Sequence, residues 1–193
     1  MSKIKTFLAG LFSIAFIIGF AIIYNPNAET KKENTINRQD FYSLVNQIKV
    51  LDSTKASLQE KLYYELAKEA GRRDTLDWKI PYSIWMVESK MDPNAKGDGG
   101  KAFSLGQVHL PTAKGINPKL TADSLMNPII NGFTSCSVLK DYTNIFHGNI
   151  LYGIAAYQAG PVAIKEDYKN NKPPRNWQYV NKVFEFWSKL KDN

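Results

Sequence analysis

The chain has 193 residues, enough for one globular domain with a substantial core and a short appendage. Apolar residues make up 44% and aromatics 12%, which excludes general disorder. The formal charge is +7; such a balance suits nucleic acid, a membrane surface or an anionic polymer such as a cell wall, and does not choose among them. No RNP-like, helix-turn-helix or zinc-finger signature favours nucleic acid, and none is expected as a partner. A single cysteine, Cys136, excludes an intramolecular disulfide and reads as a small packed residue. Two histidines and one cysteine without ligand spacing argue against a structural zinc site, so neither metal nor cofactor is expected.

At the amino terminus Lys3 and Lys5 precede an uncharged apolar run, Phe7–Tyr24. At a rise of ~1.5 Å per residue this run reaches about 27 Å, just enough to cross a bilayer. The alternative is a cleaved signal peptide, but Pro26 stands where a cleavage site wants a small residue. An uncleaved anchor over residues 1–25 is therefore favoured, followed by a polar linker over 26–38 and one domain over 39–193. Lysines on the short side keep that side cytoplasmic. The domain is then expected outside the cytoplasm, on the periplasmic face of an inner membrane, or in the periplasm if the segment is cleaved.

Beyond the linker the pattern is helical. Phe41, Leu44, Val45, Ile48 and Leu51 share one helical face, and Leu58, Leu62, Leu66, Ala67 and Ala70 suggest a second helix. Ser57 and Glu60 form a capping-box signature at its start, and Gly71 is placed as its C′ residue. Pro81 then opens an apolar helical run that ends in one carboxylate, Glu88, with Asp92-Pro93 expected to stop the helix. A glycine-rich loop follows, with Gly97, Gly99 and Gly100 and the polar Asp98 and Ser104. It lacks the Lys-Ser/Thr ending of a phosphate-binding loop. A helix-like segment returns past Gln107. Asn127-Pro128 reads as cap and first residue of a further helix. Asn149–Gln158 is another apolar segment, with a stop and restart at Gly160-Pro161. The final basic segment carries Trp177, Tyr179, Val180, Val183, Phe184, Phe186, Trp187 and Leu190. Its spacing is helical, so core packing is favoured over a nucleic-acid platform. The reading is all-α, with about seven helices after the anchor and no convincing strand.

A lone acid at the end of an apolar helix, facing a flexible polar loop, suits acid catalysis, although a solvated Glu near a helix end is the plainer account. Three ordered segments add to it: Glu88-Ser89; Ser104-Leu105-Gly106-Gln107-Val108 with Pro111-Thr112-Ala113; and Ala156-Tyr157-Gln158-Ala159-Gly160-Pro161. Tyr179-Val180 and a last helix follow. Over about Leu58 to Trp187 this set resembles the SLT-type lytic transglycosylases, enzymes of lysozyme-like, mainly helical fold that cleave peptidoglycan. The resemblance implies that Glu88 is the catalytic acid and then the base, and that Ser89 helps place its carboxyl. It implies that Ser104, Gln107, Tyr157, Gln158 and Tyr179 line the substrate site. The chain departs from the family pattern at Gly106, where Met is usual, at His109, usually apolar, and at Gln158, usually Asn. His109 is a further candidate for substrate contact.

Protonating a glycosidic leaving group at neutral pH needs a desolvated carboxyl, because an ordinary Glu is ionised there. Ile84 and Trp85, one turn before Glu88, can supply the apolar wall. A usual glycosidase needs a second carboxylate. Asp92 is better explained as a helix stop, which leaves Asp98. By resemblance, the lytic transglycosylases dispense with it: the sugar's own N-acetyl and 6-hydroxyl groups do the work, giving 1,6-anhydromuramyl ends. The alternatives are a goose-type lysozyme with Asp98 as base, or a wall-binding or secretion-assembly module that keeps the fold without turnover. Expected partners are peptidoglycan glycan strands, the membrane through the anchor, and an envelope-spanning or secretion complex.

Overall fold

The computed structural model describes residues 38–191. The expected anchor and nearly all of the linker lie outside them. Among the described residues no helix is long and apolar enough to cross a membrane. The chain divides into two compact units, Met1–Val50 and Leu51–Asn193, and the site belongs to the second.

The first helix, α1, is Arg38–Asp74. Two helices were expected here. The polar stretch Asp52–Ser57 holds neither Gly nor Pro, so nothing breaks the hydrogen-bond ladder, and Ser57 and Glu60 are exposed mid-helix residues rather than a cap. Gly71 is likewise inside the helix, which runs on to Asp74. Its role is close approach: a Cβ there would lie 2.9 Å from Trp78 Cα and 3.0 Å from Leu76 O. Tyr63, Leu66, Ala67 and Ala70 bury one face of the carboxy-terminal half of α1, at the i, i+3, i+4, i+7 spacing of an amphipathic helix.

Helix α2, Lys79–Ser89, carries Pro81 in its first turn and buries Ile80, Ile84 and Trp85. It ends earlier than the Asp-Pro signal suggests. Lys90 and Met91 both adopt left-handed backbone, φ 54° and 64°, and the Lys90 N–H donates back to Met86 O at 3.2 Å. Asp92 then closes a small turn by accepting from Asn94 N at 2.8 Å.

An antiparallel sheet follows in the order β1 (Lys96–Gly97), β2 (Ala102–Phe103), β3 (Val108–His109). No strand was expected, and the reason is length: each has two residues, too few to show alternation. Lys96 pairs with Phe103, and Phe103 with Val108. The 3₁₀ turn Asp98–Gly100 links β1 to β2.

The rest is helical: α3 (Leu110–Ile116), α4 (Ala122–Leu125), α5 (Pro128–Ile145), α6 (Ile150–Ala159), α7 (Pro161–Lys169) and α8 (Trp177–Trp187). Asn127 caps α5 as expected, accepting from Ile129 N at 2.9 Å and Ile130 N at 3.3 Å. Asn149 caps α6 by accepting from Leu151 N at 3.2 Å. The core joins α2, α5, α6 and α8 through Ile84, Trp85, Leu139, Ile154, Ala155, Ala156, Val180 and Val183. A smaller cluster of Phe103, Val108, Ala113, Leu125 and Val138 seats the sheet against α3, α4 and α5. The apolar side of α8 is thus core, with Val180 and Val183 fully buried. The described domain is mainly helical, with a small sheet beside Glu88 in sequence.

Candidate active site

Glu88 sits in the last turn of α2, partly buried. The core packs α8 against α2, and this brings Tyr179 to the acid: its hydroxyl donates to Glu88 Oε1 at 2.5 Å. Burial pushes the Glu88 carboxyl above the usual range. The Tyr179 hydrogen bond pulls it part of the way back, the charge of Asp98 raises it, and His109 lowers it. Burial and the Glu88 charge push the Tyr179 phenol well above its ordinary value, so it stays a neutral donor at any physiological pH.

Tyr157, on α6, donates to Gly106 O at 2.7 Å. Burial first, and the charge of Glu88 second, raise its phenol well above the ordinary value too. Two neutral phenols therefore accompany the acid, one bonded to it and the other to the loop.

That loop is held from beneath by Asn131, a fully buried residue of α5. Its side-chain oxygen accepts from Gly106 N at 2.8 Å. Its amide nitrogen donates to Phe103 O at 2.7 Å and to Leu125 O at 3.1 Å. Beside it, Ser135 Oγ accepts from the Trp85 indole N–H at 2.8 Å and donates to Gly132 O at 2.9 Å. Gly106 is pressed against this pair. A Cβ there would lie 2.5 Å from Ser135 Cβ and 2.7 Å from the Tyr157 hydroxyl. A methionine at this position has no room among these neighbours. Sequence reasoning missed Asn131 and Ser135; the readable signal was a carboxamide set among Ile129, Ile130, Gly132 and Phe133.

The other sequence candidates fall in different places. Asp98 and His109 meet across the sheet, with Asp98 Oδ2 and His109 Nε2 2.8 Å apart; their side chains are 69% and 41% exposed. Ser89 donates to Trp85 O, one turn back in its own helix, at 3.2 Å. The Gln107 amide donates to Ser104 O at 2.8 Å and Ala95 O at 3.2 Å, and its oxygen lies against Gly97. Ser104 is fully buried, with left-handed backbone at φ 56° and a hydroxyl without a hydrogen-bond partner. Gln158, exposed on α6, accepts from Asn176 Nδ2 at 2.8 Å. The structure thus groups Glu88 with Tyr179, and places Tyr157, Asp98 and His109 within electrostatic reach. Ser89, Ser104 and Gln107 brace backbone or are sealed within the loop, and Gln158 ties α6 to the approach to α8.

Recesses of about 320 and 280 Å³ occur elsewhere, one walled by Ile80, Lys140, Phe184 and Trp187, the other by Arg73, Ile116 and Phe133. The acid among their lining residues, Asp77, is taken by the Trp187 indole at 2.7 Å. They lack the desolvated acid that distinguishes Glu88. Among the described residues no group of His, Cys, Asp and Glu is placed to hold a metal ion.

A mainly helical domain with a small sheet, a partly buried acid at a helix end and a braced loop beyond it agrees with the lysozyme-like fold that the sequence resemblance implies. Within that class the comparison of sequences is specific: the model of the Transglycosylase SLT domain matches residues 65–180, more than half the chain. The chain belongs to this family of SLT-type lytic transglycosylases. No curated protein matches it. Among solved structures it is similar to the lytic transglycosylase Slt of Pseudomonas aeruginosa, determined as an inactive mutant, at 21% identity and a TM-score of 0.56. The match covers 64% of this chain and 23% of that one, so the chain spans less than a quarter of that protein's length. The likeness is one of fold.

The raised carboxyl of Glu88 has a consequence for stability. Below the ordinary carboxylate range both folded and unfolded chains hold the proton, and burial costs little. As pH rises through the unfolded and then the raised folded value, an ionised carboxylate must be kept out of water, and stability is lost. Glu88→Gln is therefore expected to melt at a higher temperature than wild type at pH 7, with the gap closing by about pH 4. Thermal unfolding followed by circular dichroism across that range checks this; a variant that melts lower at pH 7 contradicts it.

Proposed function

We propose that this protein is a peptidoglycan lytic transglycosylase that cleaves the β-1,4 bond after the muramyl sugar, with Glu88 as acid and then base. The observation that carries the reading is the environment of Glu88: a carboxyl raised by burial and held by one phenol. Such an acid holds its proton to higher pH than an ordinary glutamate, which is what protonating a leaving oxygen asks of it. Once it has given up the proton, the Tyr179 hydroxyl stabilises the carboxylate, and Glu88 is a competent base.

The proton balance closes without water. Glu88 gives its proton to the departing glycosidic oxygen while the substrate's N-acetyl carbonyl supports the anomeric carbon. Glu88 then takes the proton of the 6-hydroxyl as that oxygen closes the 1,6-anhydro ring. Holding the attacking hydroxyl on the same molecule supplies the proximity that a bimolecular attack lacks. No second carboxylate is consumed. Asp98, the candidate for one, is hydrogen-bonded to His109, which favours this route over a goose-type lysozyme that would free Asp98 to activate water. Of the residues that the resemblance implies for substrate contact, Gln158 is exposed and Ser89, Gln107, Tyr157 and Tyr179 are partly exposed, as is the further candidate His109, while Ser104 is buried.

Purified sacculi test the reading. Glu88→Gln is expected to fold as wild type and to lose at least about a thousandfold in turnover. Wild-type products analysed by mass spectrometry are expected to carry anhydromuramyl ends, with Asp98→Asn within a few-fold of wild type. Reducing ends, together with loss of activity in Asp98→Asn, transfer the assignment to the hydrolase; wild-type binding without turnover transfers it to a wall-binding module.

Tyr179→Phe removes the hydrogen bond that lowers the Glu88 carboxyl, so Glu88 holds its proton to higher pH. The alkaline limb of the pH–rate profile is expected to move upward, with a lower maximal rate because the carboxylate loses its donor. An unmoved limb contradicts this coupling.

We also propose that residues 7–24 anchor the protein in the inner membrane with the domain outside the cytoplasm. Support comes from the charge-free apolar run after Lys3 and Lys5. Full-length protein is expected in the carbonate-resistant membrane fraction; recovery as a shorter soluble species indicates cleavage instead.

A further inference from the structure

Helix α1 has more apolar surface than the domain uses. Its carboxy-terminal half already commits Tyr63, Leu66, Ala67 and Ala70 to the core. Leu51, Leu58 and Leu62 remain 69%, 64% and 48% exposed. Single exposed leucines need no explanation, but these three are not scattered. Residues seven apart, and three or four apart, lie on one stripe of a helix, and Leu51, Leu58 and Leu62 follow that spacing.

The sequence continues the same repeat toward the amino terminus. With Leu51 and Leu58 at heptad position d, the preceding d residue is Leu44. The a positions are Phe41, Ile48, Lys55 and Leu62. Six of these seven seam positions are large and apolar, and the backbone is helical throughout, within Arg38–Asp74. Among the flanking e and g positions from 45 to 61 only Val45 is apolar, so the face stays close to the narrow a/d seam found between similar helices.

The residue choices single out the occupant. Leu fills every d position, and Ile48 at a between Leu44 and Leu51 is the pairing that favours two parallel strands, while the one polar a residue, Lys55, sets the register at some cost in stability. In a parallel, in-register pair the flanking g and e′ residues are Gln47 with Asp52 and Thr54 with Gln59, so no like charges face each other at these flanking positions; Lys55 meets its own counterpart in the seam, which is the cost of the polar a residue. We propose that residues 41–62 form a parallel two-stranded coiled coil with a second copy of this chain, holding two domains side by side. This is independent of the chemistry proposed for Glu88.

The test uses the full chain in detergent. Light scattering with the detergent contribution subtracted is expected to give twice the protomer mass for wild type. The double variant Leu51→Glu, Leu58→Glu is expected to give the protomer mass, with an unchanged melt and unchanged activity on sacculi, since both side chains are exposed. A separate Leu58→Cys variant is expected to form a disulfide-linked dimer on mild oxidation, because equivalent d residues face each other in a parallel pair; the native Cys136 is buried and stays silent. A monomeric wild type overturns the proposal, and then the stripe is covered by the chain's own first residues or by another partner. A dimer that survives the double variant places the interface elsewhere. A dimer in which Leu58→Cys fails to cross-link rules out the parallel register.

Discussion

The hydrogen bond between Tyr179 and Glu88 joins two residues ninety-one positions apart, and much of the domain's architecture serves to make it. Glu88 lies on α2 and Tyr179 on α8, and the helices are brought together by side chains on their buried faces: Ile84 and Trp85 on one, Val180 and Val183 on the other. Helix α6 lies in the same core, so the second phenol, Tyr157, is fixed by the same packing. The acid's environment is therefore a property of the core. A carboxyl at the surface would ionise freely; this one is set between burial, which favours the proton, and a donor, which favours its loss.

The loop beyond the acid is held differently, by polar atoms. Asn131 spends its carboxamide on three backbone groups of Phe103, Gly106 and Leu125, and Gln107 spends its own on Ala95 and Ser104. Backbone groups in a loop against a core need such partners, since each one left unsatisfied costs about 1–3 kcal/mol. The price of this construction is visible in Ser104 and Gln107, both left-handed, and in the unpartnered Ser104 hydroxyl.

What could be read from the sequence followed what sequence encodes locally. Glu88 was readable because an apolar helical run ends in it. The cap at Asn127 was readable because the capping chemistry lies within three residues. The continuity of α1 was not, because a polar stretch without Gly or Pro looks like a boundary while imposing none. Strands of two residues fall below the length at which alternation is visible. Gln107 and Ser104 carry the right residue types for meeting a sugar, but their side-chain directions are fixed by left-handed backbone and by neighbours distant in sequence. Asn131 was missed for a related reason: its value lies in bonds to segments up to 28 residues away.

The position of Glu88 in the final turn of its helix has one more effect. Peptide dipoles aligned along α2 leave partial negative charge at its carboxy-terminal end, worth about 0.3–1 kcal/mol against a nearby anion. Glycosidases with two acids raise the proton affinity of one by setting the other beside it. Here the backbone's own electrostatics push the same way, from a source that cannot titrate. A carboxyl biased in this manner holds its proton more firmly at every pH at which the helix stands.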